Sequence, residues 1–338
     1  MTHADSQSTT PIAGSVRAAL VDAPGTPPHI GHARLPHRAP GQTLIEVHAA
    51  PLNPLDIGIA AGLVPTARFS DPFVPGIECA GTVVESDTML QGTLVYAETH
   101  PSPAQPGTFA THVIVSDEAV TAVPAGLDAA SAVAVGNSGV AAYLPLIDVA
   151  GLHPGDNVLI LGATGVLGRI ATQIALTHGA ASVVAVGRDE TALNKLRALG
   201  AVPVALREAE AAAELAGRLT EAGPPADVVL DAVYGTALQA AIIAAANGAR
   251  IINVGNASGA VTEILAPALR LKQLTLSGFA SFLTPVSEKT AALHWLWEQL
   301  RTDRLRIDID VRALDDLPEA WTDQQDSPHA KIVLDPRL

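Results

Sequence analysis

Cysteine is nearly absent: Cys79 stands alone among 338 residues. A single thiol excludes an internal disulfide framework and any multi-cysteine metal cage. It also fits a reducing compartment. Positive charge is scarce as well. The 20 Lys and Arg against 34 Asp and Glu leave a net charge of −14. No basic run supplies the electrostatic footprint of a nucleic-acid binder. No uninterrupted apolar stretch reaches the length of a membrane span. The opening "MTHADSQSTTPIAG" joins no basic end to an apolar block, so it does not read as a secretory leader. It reads as a flexible tail over 1–15. A soluble, cytoplasmic protein with neither nucleic acid nor membrane as partner is the default expectation.

Hydrophobic residues make up 48% of the chain and charged residues 16%, which suits sizeable cores. The length suggests about two domains. Residues 16 to about 130 are rich in Pro and Gly, with short β-branched runs such as "TLIEVHAA", "GTVVES" and "GTLVYAE". These read as strands joined by turns. From "GVAAYLPLIDVAGL" the pattern changes. "DNVLILG", "SVVAVG", "ADVVLDAV", "ARIINVG" and "LTLSGF" read as strands separated by helical stretches. In the first of those stretches Leu167, Ile170, Ala171, Ile174 and Ala175 recur at helical spacing. Strands alternating with helices in this way predict an α/β fold with a parallel, doubly wound sheet over 138–282. Beyond it, "EKTAALHWLWEQLRT" reads as a helix and "AKIVLD" as a closing strand.

The first strand and helix of the α/β region enclose "LGATGVLGR". Gly162, Gly165 and Gly168 give G-x-x-G-x-x-G. Glycines so placed let the chain turn tightly, let backbone approach a pyrophosphate, and let the helix pack close to the strand. The first N–H groups of the helix then face the phosphates. Gly162, Thr164, Gly165, Val166, Leu167 and Gly168 are the expected dinucleotide turn of a Rossmann sheet. About 20 residues on, an acidic residue would mark NAD by accepting its ribose 2′-hydroxyl. Gly187 and Arg188 stand there instead. Glycine removes the repulsion of a 2′-phosphate and a guanidinium offers it donors, so NADP(H) is the expected cofactor. Asp189 follows one position late for a ribose carboxylate. At the nicotinamide end, "INVGNASG" should bring the backbone of Val254 and Asn256 to the carboxamide. Phe279 and Phe282 of "LSGFASFLTP" are candidate walls, with a core or dimer role as the equal alternative.

These motifs stand in a familiar order. "PLNPLDIGIAAG" and "PFVPGIECAG" precede the glycine turn, and "LDAVYG", "ARIINVG" and "AKIVL" follow it. The order resembles the medium-chain dehydrogenase/reductase superfamily, and within it the zinc-free quinone-oxidoreductase-like branch. The resemblance implies a mostly β, GroES-like catalytic domain over 16–137 and 283–338, beside the cofactor domain over 138–282. It places Asn53 and Asp56 at the cleft floor beside the nicotinamide as candidate catalytic residues, with Asp56 either a proton relay or a helix cap. Zinc-dependent members use a cysteine, a histidine and a further cysteine or acid as ligands. Here those positions hold Asn53, Ile77 and the neighbourhood of Gly136 and Asn137. An isoleucine cannot donate to zinc and an amide is a poor ligand, so no metal is expected. The branch's tyrosine after D-x-x-x-R-x-G is also missing from "DIGIAAGLVPTARF". The expected activity is NADPH-dependent hydride transfer to an activated C=C bond or a quinone, with a small-molecule substrate. A zinc-free carbonyl reductase or alcohol dehydrogenase, and a non-catalytic NADPH-binding protein, stay open at this point. "LTLSGF" carries neither Pro nor a charge to protect it as a sheet edge. A homodimer through that edge is therefore expected.

Overall fold

The computed structural model describes residues 14–64, 72–100 and 106–338. The expected tail over 1–15 lies outside the described residues as far as residue 13. The chain divides into two units. The first holds the described residues up to Ala122, with Val311–Thr322 and Leu334–Leu338. The second holds Val123–Asp310 and Asp323–Val333.

In the first unit, β1 (Gly14–Leu20) and β2 (His29–Leu35) form an antiparallel pair. The main sheet is built on β3 (Gln42–Pro51), followed by the short helix α1 (Pro54–Ala60). Then come β4 (Glu78–Glu85), β5 (Leu94–Glu98), β6 (His112–Ser116) and β7 (Val120–Ala122). β3 pairs antiparallel with both β4 and β6, β4 pairs with β5, and β5 with β7. Leu44 and Ile114 of this sheet pack with Val16, Ala18, Leu35, Val74 and Ala110 into one core. This is the mostly β part that the Pro- and Gly-punctuated sequence predicts.

The second unit begins with α2 (Ala129–Ala134) and α3 (Asn137–Leu144). Then strand and helix alternate: β8 (Asn157–Leu161), α4 (Val166–Thr177), β9 (Ser182–Gly187), α5 (Glu190–Ala198), β10 (Val202–Ala205), α6 (Ala212–Ala222). They continue as β11 (Ala226–Asp231), α7 (Gly235–Ala244), β12 (Ala245–Asn253), α8 (Ala266–Lys272) and β13 (Thr275–Gly278). The six strands lie in the order β10-β9-β8-β11-β12-β13, and every pair is parallel. Strands so enclosed need apolar residues on both faces. Val228, Val229 and Leu230 of β11 accordingly have no exposed surface. α4 turns one stripe inward. Its Ile170 and Ile174 are fully buried, and each contributes about 1.5–3 kcal/mol of apolar burial. The chain reverses direction of travel across the sheet between β8 and β11, which is where ligands of such sheets bind, beyond the carboxyl ends.

Helix α9 (Val286–Arg301) belongs to this second unit. Its Trp297 is fully buried and donates its indole N–H to the Ala132 carbonyl of α2 at 2.9 Å. The units thus divide near 122 and 310 rather than at 137 and 283. The last elements are β14 (Ile309–Ala313), α10 (Leu317–Gln325) and β15 (Lys331–Asp335). The two strands extend the main β sheet in the order β14-β15-β3-β4-β5-β7.

Candidate functional site

The turn after β8 is shaped by its glycines. Gly162 has φ +83°, a conformation open to glycine and costly for other residues. The N–H groups of Gly162 and Ala163 both donate to the Val186 carbonyl of β9, at 3.0 and 2.8 Å. A Cβ on Gly168 would stand 2.2 Å from the Gly162 carbonyl oxygen and 2.6 Å from the Ala163 Cα. A Cβ on Gly187 would stand 2.4 Å from the Thr164 side chain. Strand, turn and helix are therefore drawn together at contacts only glycine permits. Gly165 is the residue before α4 and brings no side-chain cap. The N–H groups of the first turn, over Val166, Leu167 and Gly168, have no partner within the helix. They carry the positive end of its dipole. This cradle fits a dinucleotide pyrophosphate.

At the end of β9, Gly187 is buried and Arg188 is exposed. Asp189 caps α5, its Oδ1 accepting from the Ala192 N–H at 2.6 Å. Nearby, Asp308 accepts from Lys195 at 2.9 Å and from Arg169 at 2.8 Å. Those two donors hold its carboxyl below the ordinary range.

A cavity of about 360 Å³ lies beyond the carboxyl ends of β11, β12 and β13. Val254, Asn256 and Phe279 line it, together with Tyr234, Asn253, Gly255 and Ala260. The Val254 N–H is already taken by the Asp231 carbonyl at 2.8 Å. Val254 can therefore meet a carboxamide only through its carbonyl oxygen. Tyr234 was not legible in the sequence as a site residue. It has φ +65° and ψ −157°, a region populated almost only by glycine. Asp231 holds it there: its Oδ1 accepts from the N–H groups of Val233 and Tyr234 at 3.0 and 2.8 Å. Its Oδ2 accepts from Asn253 at 2.8 Å. Burial pushes the Asp231 carboxyl up, against the opposing pull of these donors.

The candidate catalytic residues lie in the first unit, both 1% exposed. Asp56 is a cap, its Oδ2 accepting from the Asn53 N–H at 2.8 Å. The Asn53 amide donates to Glu78 at 2.9 Å and to the Pro51 carbonyl at 3.3 Å. Both partners are protein oxygens close to the amide nitrogen. Glu78 is fully buried and also receives the Tyr96 hydroxyl at 2.8 Å. Tyr96 lies 3.0 Å from Glu98 as well. The sequence reading missed Tyr96, although the two-residue spacing in "VYAE" puts it on one strand face with Glu98. Cys79 is fully buried, and burial followed by the Glu78 charge pushes its thiol well up. It packs as a small hydrophobe.

The positions that would hold a zinc do not suit one. Asn53 turns its amide nitrogen to a carboxylate, Ile77 has no donor atom, and the Asn137 side-chain oxygen accepts from Ser281 at 2.5 Å. Among the described residues no group of three His, Cys, Asp or Glu converges to hold an ion.

Residues 39–125 match the alcohol dehydrogenase GroES-like domain, and residues 166–298 match the zinc-binding dehydrogenase family. The acrylyl-CoA reductase AcuI of Ruegeria pomeroyi is 32% identical over 293 residues, covering 84% of this chain and 86% of that protein. A mycobacterial quinone oxidoreductase shares the fold with a TM-score of 0.81 at 23% identity, over 95% of this chain and 100% of that one. A mycobacterial structure complexed with NADPH does so with a TM-score of 0.81 at 24% identity, over the same shares of 95% and 100%.

Proposed function

The chain belongs to the medium-chain dehydrogenase/reductase superfamily, among members of quinone-oxidoreductase and enoyl-reductase type, and from that premise we propose an NADPH-dependent reductase of activated C=C bonds that works without zinc. The observation that carries the reading is the end of β9. Gly187 stands where a ribose carboxylate would, and the Arg188 guanidinium beside it is exposed. The turn over Gly162, Thr164, Gly165, Val166, Leu167 and Gly168 would hold the pyrophosphate through backbone N–H groups and the α4 dipole. Arg188 would hold the 2′-phosphate. The Val254 carbonyl, the Asn256 backbone and the Phe279 ring would set the nicotinamide. When bound, NADPH supplies a hydride.

The substrate class follows from what the protein lacks. Without a Lewis acid, negative charge on the acceptor oxygen has to be spread by conjugation or met by hydrogen bonds. A thioester-conjugated alkene or a quinone spreads it; a simple aldehyde does not. The relative named as an acrylyl-CoA reductase supports the alkene thioester. Asn53 and Asp56 then serve to fix α1 and Glu78 rather than to deliver a proton. The test is NADPH oxidation by the purified chain with an enoyl thioester, a quinone and an aldehyde. Turnover with either of the first two is expected. Turnover with the aldehyde alone, or none with any, would refute the reading.

A further inference from the structure

The segment 323–333 returns to the second unit, and its His329 meets the cofactor turn. The His329 carbonyl oxygen accepts from the Arg169 guanidinium. Its ring Nδ1 lies 3.1 Å from the Thr164 carbonyl oxygen. Its Nε2 lies 3.5 Å from Asp189 Oδ2. Thr164 belongs to the glycine turn and Asp189 follows β9. The two stretches approach each other at Gly187, where the absent side chain makes room for Thr164. This is the corner of a Rossmann sheet at which the adenosine ribose sits.

Hydrogen-bond chemistry constrains the ring. A backbone carbonyl only accepts, so Nδ1 must carry a hydrogen to bond Thr164. A carboxylate also only accepts, so Nε2 is satisfied when it carries one too. The imidazolium alone serves both. Charged groups face it from several elements. Asp189 faces Nε2, with Oδ1 engaged in capping α5 and Oδ2 turned to the ring. Arg169 holds the His329 carbonyl, and Asp308 binds both Arg169 and Lys195. Arg188 adjoins Asp189 and is exposed.

We propose that His329 determines the choice of dinucleotide by pairing with Asp189 beside the ribose end of β9. This rests on the reading of the site as one for NADPH. An unpaired Asp189 would accept a ribose 2′-hydroxyl and repel a 2′-phosphate. Pairing withdraws that carboxylate and places a second cation next to Arg188 for the phosphate.

The experiment titrates full-length wild type and H329Q with NADPH and with NADH. Glutamine keeps an N–H for Thr164 and carries no charge. H329Q should lose about tenfold in NADPH affinity or more, the scale of one charge-assisted hydrogen bond. It should bind NADH more tightly than wild type does. Adding D189N, which keeps a capping side chain, should cancel the gain in NADH. Equal weakening of both cofactors by H329Q, with their ratio intact, would overturn the proposal and leave the NADPH reading standing. A wild type that prefers NADH would overturn the NADPH reading itself, and the proposal with it.

Discussion

Two glycines of the same turn should respond differently to alanine. At Gly168 a new Cβ would lie 2.2 Å from the Gly162 carbonyl oxygen and 2.6 Å from the Ala163 Cα. Both obstacles are backbone, so relief requires α4 to move away from β8 by about 1 Å. Overpacking of this kind costs about 1–3 kcal/mol. For a unit of this size that is a drop in Tm of roughly 2–12 °C. The displaced helix also carries its first N–H groups away from the phosphates, so NADPH binding should weaken by at least the value of one charge-assisted hydrogen bond, about 1.5–3 kcal/mol. At Gly165 the nearest atom to a new Cβ is the Gly162 carbonyl oxygen at 3.6 Å, an ordinary contact. Its φ of −72° is open to alanine. The loss of chain entropy that glycine suffers on folding is relieved by about 0.4–1 kcal/mol, offset by alanine's poorer fit before a helix. Stability should stay close to wild type, while a methyl group now stands where phosphate oxygens approach the backbone. Gly165→Ala is thus expected to fold normally and bind NADPH weakly. The assays are a thermal melt without cofactor and a fluorescence titration with NADPH. If Gly168→Ala melts with wild type, strand and helix are not packed as described. If Gly165→Ala binds NADPH as wild type does, no phosphate reaches the turn.

Arg188→Ala should weaken NADPH binding by about 1.5–3 kcal/mol and leave NADH binding unchanged; equal losses in parallel titrations would show that the guanidinium does not read the 2′-phosphate. Elemental analysis of the purified protein should find no stoichiometric zinc, and chelator should leave turnover intact; one zinc per chain lost together with activity would reverse that view. Burial lifts the Asp231 carboxyl above its ordinary 3.8, so the folded chain holds that proton to higher pH than the unfolded chain does. The contribution of Asp231 to stability should therefore fall as pH rises from 3.8 through the lifted value, and Asp231→Asn should flatten that slope; a contribution that grows over the same interval would contradict it. β13 is the last strand of its sheet and Thr275 is exposed on it, so light scattering should give twice the 34.6 kDa of one chain for wild type and a smaller mass for Thr275→Pro. A wild-type mass near 34.6 kDa at micromolar concentration would remove the dimer.

What could be read from the sequence is what one stretch of chain builds by itself. β8, α4 and β9 were legible because an apolar run, a glycine turn and a helical stripe follow each other without interruption. β13 was legible as the sheet edge for the same reason. β10 was not, since it has four residues and contains Pro203. The structure places it at the opposite edge of the sheet, where a missing N–H is tolerated. α9 was recognised as a helix but assigned to the wrong part of the chain. Its amphipathic pattern says that one face is buried and not against what. The partner is Ala132, 165 residues earlier.

The same distinction divides the site. The expected cofactor half is made of backbone, in turns whose glycines announce themselves at the ends of β8, β9 and β12. The remaining contacts join residues far apart in sequence: the side chains of Asn53 and Glu78, those of Glu78 and Tyr96, and the His329 ring with the Thr164 carbonyl. Nothing local marks them. Asn53 illustrates the consequence. Its place in a motif suggested catalysis, but a polar side chain in a buried site is first claimed by whatever needs a hydrogen bond. Glu78 and the Pro51 carbonyl both lie close to its amide nitrogen. Tyr234 is the converse case. A tyrosine that lines the cavity is held in a glycine-like conformation by Asp231. Such a conformation costs about 1–3 kcal/mol and persists only where surrounding bonds enforce it. The enforcing bonds come from a buried carboxyl that is itself lifted by burial, so strain and desolvation meet at one loop. A fold under no demand beyond stability would relax both with a glycine at 234. The ring packs against the core of the second unit and also lines the cavity at the carboxyl ends of β11 and β12, so packing and cavity together hold the residue there.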